Sequence, residues 1–420
     1  YQYASNSWVQ KEIIVGDATF DCFGYSIALN STGTYIVIGA TQSTNGVGYF
    51  KVYKYTTDIT SWSIVGAKKV NDVTKDNNSI THNNDNFGYY VDINDDGTKV
   101  IISSPKNTLS SVVLDDGYCR IYEYSSNSWS EFGGSEFSTF YGDNVEDQLG
   151  SSVAINTDGT IVAIGSPYYD GINGTNQGIV RLYQYDANKI ARYNNTSSIY
   201  FGPKNWTRIG NDILGEAQED FSGYTLAINS TGTIISIGAY KNDGSNGSDS
   251  GHVRVYEYNA TILEWGQLGN DIDGERTNDE SSSTLALNDK GDILAIGSSK
   301  NKDDYRYYKL VINSSVEQKN IVSFSELALY DENNNLIIGA GLSSDNIGAT
   351  ITGTTQEDGG NIKGAFDNNL QESETPDLIF LANSNQWSQK GIDIDGEAAS
   401  DYCGYSVSLS ADGTIVAIGA

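Results

Sequence analysis

Methionine is absent from these 420 residues, and histidine (2), cysteine (3) and proline (4) are scarce. A chain without an initiator methionine is expected to be a processed or excised piece of something longer, with targeting signals removed. Its two histidines, His82 and His252, leave little for histidine-dependent catalysis, and no nucleophile elbow, phosphate loop or zinc spacing is present. No apolar run approaches the ~20 residues of a membrane-spanning helix. Basic residues are also few, 25 against 54 acidic ones, for a net charge of -29. Such a surface repels phosphate, so nucleic acid and anionic membranes are not expected partners. It suits a protein in salt water outside cells, or one that collects cations.

What is abundant points to strands and tight turns: 45 Gly and 29 Tyr, with many Thr, Ile and Val. The 6 Trp all fall at one place in a recurring unit. The unit reads Trp, a Gly-containing stretch, Asp-x-x-Gly, an apolar run, a tight turn, Ile-Gly-Ala and a Tyr-rich strand. Residues 23–40 read FGYSIALNSTGTYIVIGA, 87–105 FGYYVDINDDGTKVIISSP, 149–167 LGSSVAINTDGTIVAIGSP and 221–239 FSGYTLAINSTGTIISIGA. Residues 282–299 read SSTLALNDKGDILAIGSS, with Ser282 in the glycine place, and 403–420 read CGYSVSLSADGTIVAIGA.

Turn glycines fall at Gly33, Gly97, Gly159, Gly232, Gly291 and Gly413, with gaps of 64, 62, 73, 59 and 122 residues. The last gap is near twice the period. Residues 324–340, FSELALYDENNNLIIGA, fill it as a degenerate seventh copy in which Asn333 takes the turn-glycine place. Each copy reads as four strands: a Trp strand (Trp8, Trp62, Trp129, Trp206, Trp265, Trp387), the Gly-Tyr-Ser-Val strand, the Ile-Gly-Ala strand, and a strand of alternating Tyr such as Tyr53 and Tyr55, or Tyr256 and Tyr258. The Ile-Gly-Ala strand is apolar on both faces and needs cover on both sides. An array of such units is a β-propeller. The expected fold is all-β, one propeller over 1–420 with seven four-stranded blades, the strand Tyr1-Gln-Tyr3 closing the last. The alternative is six blades, with 300–386 an insertion rather than a degenerate blade.

The Phe-Gly and Gly-Ala/Ser-Pro pairs (Phe23-Gly24 with Gly39-Ala40, Leu149-Gly150 with Gly165-Ser166-Pro167) resemble the FG-GAP repeat of integrin α-subunit propellers over nearly the whole chain. The resemblance implies a seven-bladed propeller with an extracellular adhesive or scaffolding role. The family's calcium loops are longer and Asp-rich. Here the loop is the short turn at 30–33 or 156–159, with too few oxygens for a six- to eight-coordinate Ca²⁺. Residues 305–370 (YRYYKLVINSS, SFSELALYDENNNLI, GAFDNNLQ) resemble the opening of a discoidin-like, coagulation factor 5/8 type C module, but are too short for a whole one. The turns at 157–160 and 411–414 resemble the Asp-box of sialidase propellers without its Trp.

Several residues stand out as candidate sites. An Asp precedes the Gly-Tyr strand in copy after copy: Asp21, Asp85, Asp147, Asp220, Asp279 and Asp401. These form either a cation- or partner-binding rim or a set of Asx turns holding their own loops, the latter being preferred. The clusters Asp271, Asp273, Glu275 and Asp393, Asp395, Glu397 either hold a divalent ion, calcium being the cofactor considered, or are solvated hairpins. Cys22 and Cys403 sit in the same loop of the first and last copies. A disulfide between them would fasten a closed ring, worth ~4 kcal/mol by the chain-entropy model. Cys119 takes an apolar strand position, like Val253, and is expected to be a buried free thiol. His252 stands in the Tyr-strand pattern where other copies have Tyr or Ile. Sequons at Asn30, Asn77, Asn173, Asn194, Asn195, Asn205, Asn229, Asn246, Asn259 and Asn313 suit a secreted glycoprotein.

The sequence therefore reads as an extracellular, non-enzymatic adhesion or structural scaffold on a cell, appendage or virion surface. Its expected partners are other proteins or copies of itself, without nucleic acid or membrane insertion. A carbohydrate-binding module is the alternative reading, and a sialidase-like glycan-processing enzyme the third.

Overall fold

The computed structural model describes residues 12–298 apart from 43–46, 57–60, 72–85, 107–116, 134–138, 145 and 189–204, with strands or short segments at 2–4, 7–9, 309–312, 329–330, 336–338, 388–389, 406–413 and 416–419. Every named element is a β-strand, and among the described residues no helix is long and apolar enough to cross a membrane. The strands form the four-stranded antiparallel blades of a β-propeller.

Blade 1 runs Phe23–Leu29, Tyr35–Ala40, Tyr49–Thr56 and Ser61–Ile64 in spatial as in chain order. Blade 2 starts at Val91–Ile93, blade 3 at Ser152–Ile155, blade 4 at Thr225–Ile228 and blade 5 at Thr284–Leu287. The first strand of each blade lies against the first strand of the next, and that of blade 5 against Ser406–Leu409. In blades 1 to 4 the outer strand bulges and continues along the same neighbour, as Lys69–Val70 does beside Tyr49 and Phe50.

The turn between first and second strands is local chemistry repeated. Asn30 accepts the backbone N–H groups of Thr34 and Tyr35 on its side-chain oxygen, each at 2.8 Å. Asn94, Asn156, Asn229 and Asn288 do the same in their blades. Gly33 closes the turn at φ +64°, where a Cβ would be strained. Successive turns are tied to one another: the N–H of Asp95 donates to Thr157 O, Thr157 to Ser230 O, Ser230 to Asp289 O and Asp289 to Ala411 O. The hydrophobic core lies between blades. Val37, Phe50 and Val52 of blade 1 pack with Phe87, Val100, Tyr122 and Trp129 of blade 2, and three further clusters bridge the next three boundaries. The Ile-Gly-Ala strands are covered on both sides, as their two apolar faces require; Ile161–Ser166 is buried in all but its first residue.

Blade 5 bears on the choice between a seventh copy at 300–386 and an insertion. Its third strand, Lys309–Ile312, pairs with Ser388–Gln389, and its first strand lies against Ser406–Leu409. Leu329–Tyr330 and Leu336–Ile338 form an antiparallel pair where the degenerate copy was expected, the only strands described there. The rest of the discoidin-like stretch lies outside the described residues. Among the described residues two further antiparallel pairs are formed, Ser406–Leu409 with Val416–Gly419 and Gln2–Ala4 with Ser7–Val9. In the latter Tyr3 stands opposite Trp8, as Tyr55 stands opposite Trp62. The pairing of Val416–Gly419 with Gln2–Ala4 that closure calls for is not among the described ones.

Cys22 is an exposed free thiol, and Cys403, its expected disulfide partner, lies outside the described residues. The amides of Asn30 and Asn229 are buried and hold the turns, which leaves no room for a glycan on either. Asn173, Asn246 and Asn259 are exposed and Asn205 is half-buried; Asn77, Asn194, Asn195 and Asn313 lie outside the described residues. Cys119 is the buried free thiol expected of it.

Ser282 marks a built-in weakness. It holds φ +77° where Gly88, Gly150 and Gly223 hold +97°, +92° and +85°. It is fully buried, and its hydroxyl has no hydrogen-bond partner. Ser282→Gly should raise stability by about 1–2 kcal/mol, removing left-handed strain and an unpaired hydroxyl together. A melting temperature no higher than that of the parent would refute this account.

Candidate functional site

Most polar groups that repeat are consumed by the frame. Asp21 accepts the N–H groups of Asp17 (2.8 Å), Ala18 (3.2 Å) and Phe23 (3.1 Å). Asp147, Asp220 and Asp279 each accept the N–H three residues before them, at 2.8–2.9 Å, and all four are buried. The Asx-turn reading of these residues therefore holds; Asp85 and Asp401 lie outside the described residues. Burial raises the Asp147 carboxyl to about 6.

A second repeated feature escaped the sequence reading. The third strand of every complete blade carries a cation at one position, occupied in blades 1 to 4 by Lys51, Arg120, Arg181 and Arg254. Each of these four reaches back to the segment entering its blade. Lys51 meets Asp17 at 2.5 Å, Arg120 meets Asn71 Oδ1 at 3.0 Å and Arg181 meets Asp143 at 2.5 Å. Arg254 meets Glu216. In blades 2 to 4 the same side chain grips its own outer edge through Thr139, Asp212 and Asp271. The acidic partners stand four residues before the loop aspartates (Asp17 and Asp21, Asp143 and Asp147, Glu216 and Asp220), a spacing legible in the sequence.

Blade 4 adds a group that does not repeat. His252 opens its third strand where blades 1 to 3 have Tyr49, Tyr118 and Ile179. Tyr49 uses the position to donate a 2.5 Å hydrogen bond to Asp21. His252 is 3% exposed, and its Nδ1 has no hydrogen-bond partner. That atom lies 3.8 Å from Glu216 Oε1 and 3.9 Å from Asp271 Oδ2. Arg254 Nε donates to Asp271 Oδ1 at 2.9 Å and its NH2 donates to Oδ2 at 2.7 Å. Asn242 Nδ2 donates to Glu216 Oε1 at 2.9 Å, and Gln267 Nε2 to Asp271 Oδ1 at 2.6 Å. Burial, reinforced by neighbouring Arg254, pushes the His252 imidazole below its ordinary value, against the pull of Asp271 and Glu216. Burial acts to raise Asp271, but the hydrogen bonds from Arg254 outweigh it and hold the carboxyl below the usual range.

The expected trio of Asp271, Asp273 and Glu275 is not brought together. Only Asp271 joins the cluster, drawn in by Arg254. Asp273 turns to the neighbouring loop and accepts from Ser245 Oγ at 2.7 Å, and Glu275 is exposed on the segment leading to blade 5. Asp393, Asp395 and Glu397 lie outside the described residues. The arrangement offers two carboxylates and one neutral imidazole converging on a half-buried point, which is suited to holding a cation.

No family model matches the chain, and no curated protein does. Solved structures similar to it include a putative 6-phosphogluconolactonase from Bacteroides uniformis (10% identity, TM-score 0.40, 78% of this chain and 75% of that one) and Kuenenia stuttgartiensis hydrazine synthase (11%, TM-score 0.41, 98% of each chain). A second putative 6-phosphogluconolactonase, from Bacteroides fragilis, has 8% identity and a TM-score of 0.39 over 69% of this chain and 80% of that one. Likeness at this distance carries no argument about chemistry.

Proposed function

We propose that the protein is an extracellular scaffold or adhesion propeller that acts through contacts with other proteins or with copies of itself, and that it does no chemistry. The observation that supports this reading is the fate of the repeated polar residues. The turn asparagines, loop aspartates and strand cations are spent on holding blade to blade, so the repeat specifies a rigid frame. Such a frame displays its loops and edges for binding, and a net charge of -29 keeps it dispersed unless a partner fits. The exposed sequons Asn173, Asn246 and Asn259 accord with secretion.

Negative-stain electron microscopy of protein from its native source tests the reading. Ordered filaments or sheets of a ring-like unit are the expected result. Isolated rings whose melting temperature rises with one class of sugar would replace the scaffold with a carbohydrate-binding module. Turnover of a glycan, lost on changing an acidic pair to amides, would overturn the reading outright.

A further inference from the structure

The geometry points to a binding site for one divalent transition-metal ion of the zinc class, at the boundary between blades 3 and 4. Its ligands are His252 Nδ1, Glu216 Oε1 and Asp271 Oδ2. The three atoms come from separate elements. Glu216 lies on the segment leaving Ile213–Leu214 of blade 3, His252 opens the third strand of blade 4, and Asp271 precedes the continuation of that blade's outer edge at Ile272–Asp273. They lie within 4.8 Å of one another.

Three physical points carry the assignment. First, His252 is a buried imidazole whose Nδ1 faces two carboxylates and bonds to neither. A buried polar atom left without a partner costs about 1–3 kcal/mol, so the position calls for an occupant. Blade 1 satisfies the equivalent site internally with Tyr49, and blade 3 avoids the demand with Ile179. Second, each ligand atom keeps an unspent lone pair. Glu216 Oε1 receives one hydrogen bond from Asn242, and Asp271 Oδ2 receives one from Arg254, while a carboxylate oxygen has two lone pairs. Asn242, Gln267 and Arg254 then act as the outer donors that orient metal-bound carboxylates. Third, the spacing is close to what the ion needs. Tetrahedral bonds of about 2.0–2.1 Å place ligand atoms about 3.4 Å apart. The observed 3.8 and 3.9 Å close to that value by small movements of the Glu216 and Asp271 side chains, which are 40% and 30% exposed.

One imidazole with two carboxylates selects zinc, nickel or cobalt over calcium, which wants six to eight oxygens. A solvent molecule would fill the fourth position. The ion would replace an unfilled polar contact between blades with bonds, so binding should stabilise the fold. This site stands apart from the scaffold reading and does not depend on it.

The test is titration of the full chain with zinc chloride, followed by calorimetry and thermal melting. Cobalt chloride serves as a second probe, because its visible absorption reports ligand type and geometry. Expected are one equivalent bound per chain, a rise in melting temperature, and a cobalt band of tetrahedral character. His252→Ile, which installs the residue blade 3 carries, should weaken binding at least ~10-fold while the metal-free protein melts close to the parent. Glu216→Gln should weaken it similarly, and provides the same readout should the first variant fold poorly. Calcium at equal concentration should give no shift. Absence of binding to the parent at millimolar zinc would overturn the proposal, and so would one-equivalent binding that survives both substitutions.

Discussion

Trp265→Ala is expected to destabilise the protein by about 4 kcal/mol, measured by urea or thermal unfolding. Trp265 is 5% exposed, packs tilted against Tyr258 of its own blade with ring centroids 5.3 Å apart, and donates from Nε1 to the Ile209 carbonyl of blade 3 at 2.9 Å. It seats over Gly210, where a Cβ would stand 2.6 Å from the indole Cδ1. Trp129 repeats the arrangement at the boundary between blades 1 and 2, donating to Val65 O at 2.8 Å above Gly66. Removal of the ring thus deletes core from the boundary between blades 3 and 4 and leaves a cavity that neighbouring sheets cannot collapse into independently.

Phenylalanine substitution separates packing from hydrogen bonding. Trp265→Phe keeps much of the buried area and strands the Ile209 carbonyl, costing about 1–2 kcal/mol more than the area alone. Trp206 supplies the internal control, since it is equally buried but its Nε1 has no partner. It packs edge-on against Phe132 at 6.0 Å instead. Trp206→Phe should therefore be the milder of the two. Equal losses at both positions would show that the indole hydrogen bond contributes nothing.

These latches explain why the fold was legible in the sequence and the candidate site mostly was not. Trp, alternating Tyr and the turn Asn-x-x-Gly lie within one blade, where strand pleat and turn chemistry place them from local sequence alone. Trp62 stands opposite Tyr55 and Trp129 opposite Tyr124 for that reason. Contacts across a boundary are another matter. Glu216 and Arg254 are 38 residues apart, a separation that repeats at Asp143 and Arg181 but that strand pleat and turn chemistry do not bring together. The run Asp271, Asp273, Glu275 looked like a ligand set because its members are close in sequence. Arg254 and Ser245 draw the first two in separate directions. The available signal was the break in the repeat at His252, because a position that departs from an otherwise regular array is free of the frame's demands. The number of blades was not legible for the opposite reason. The 328–339 spacing matches a copy and holds the antiparallel pair Leu329–Tyr330 with Leu336–Ile338, while Ser388–Gln389 lies far along the chain and pairs back to Lys309–Ile312.

Gly165→Ala should cost about 3 kcal/mol or more, a large penalty for one methyl group. Gly165 lies on the second strand of blade 3, and a Cβ there would stand 2.2 Å from the Gly223 carbonyl oxygen of blade 4 and 2.4 Å from Ser152 Oγ. Ser152 Oγ itself donates to that carbonyl at 2.7 Å. The boundary between blades 1 and 2 has the same construction. A Cβ on Gly39 would meet Gly88 O at 2.4 Å, and Ser26 Oγ donates to Gly88 O at 2.9 Å. The obstructing atom is backbone, fixed by its own sheet, so relief requires the two blades to part and the Ser152 bond to break. Gly266→Ala is the comparison, because that strand glycine has no atom within 4 Å of the Cβ position. There alanine should be neutral or stabilise by about 0.5 kcal/mol, since glycine loses more conformational freedom on folding. The same chemical change thus gives opposite signs, set only by whether a neighbouring blade approaches. A Gly165→Ala protein within about 1 kcal/mol of the parent would mean that blades 3 and 4 do not pack through this contact. The Phe-Gly and Gly-Ala pairs would then need a reason other than blade packing. If the penalty appears, the two glycines of each pair are explained by one requirement. At the boundaries led by Gly39 and Gly165 the second strand of one blade and the opening of the next come within backbone contact, which glycine permits on the strand side.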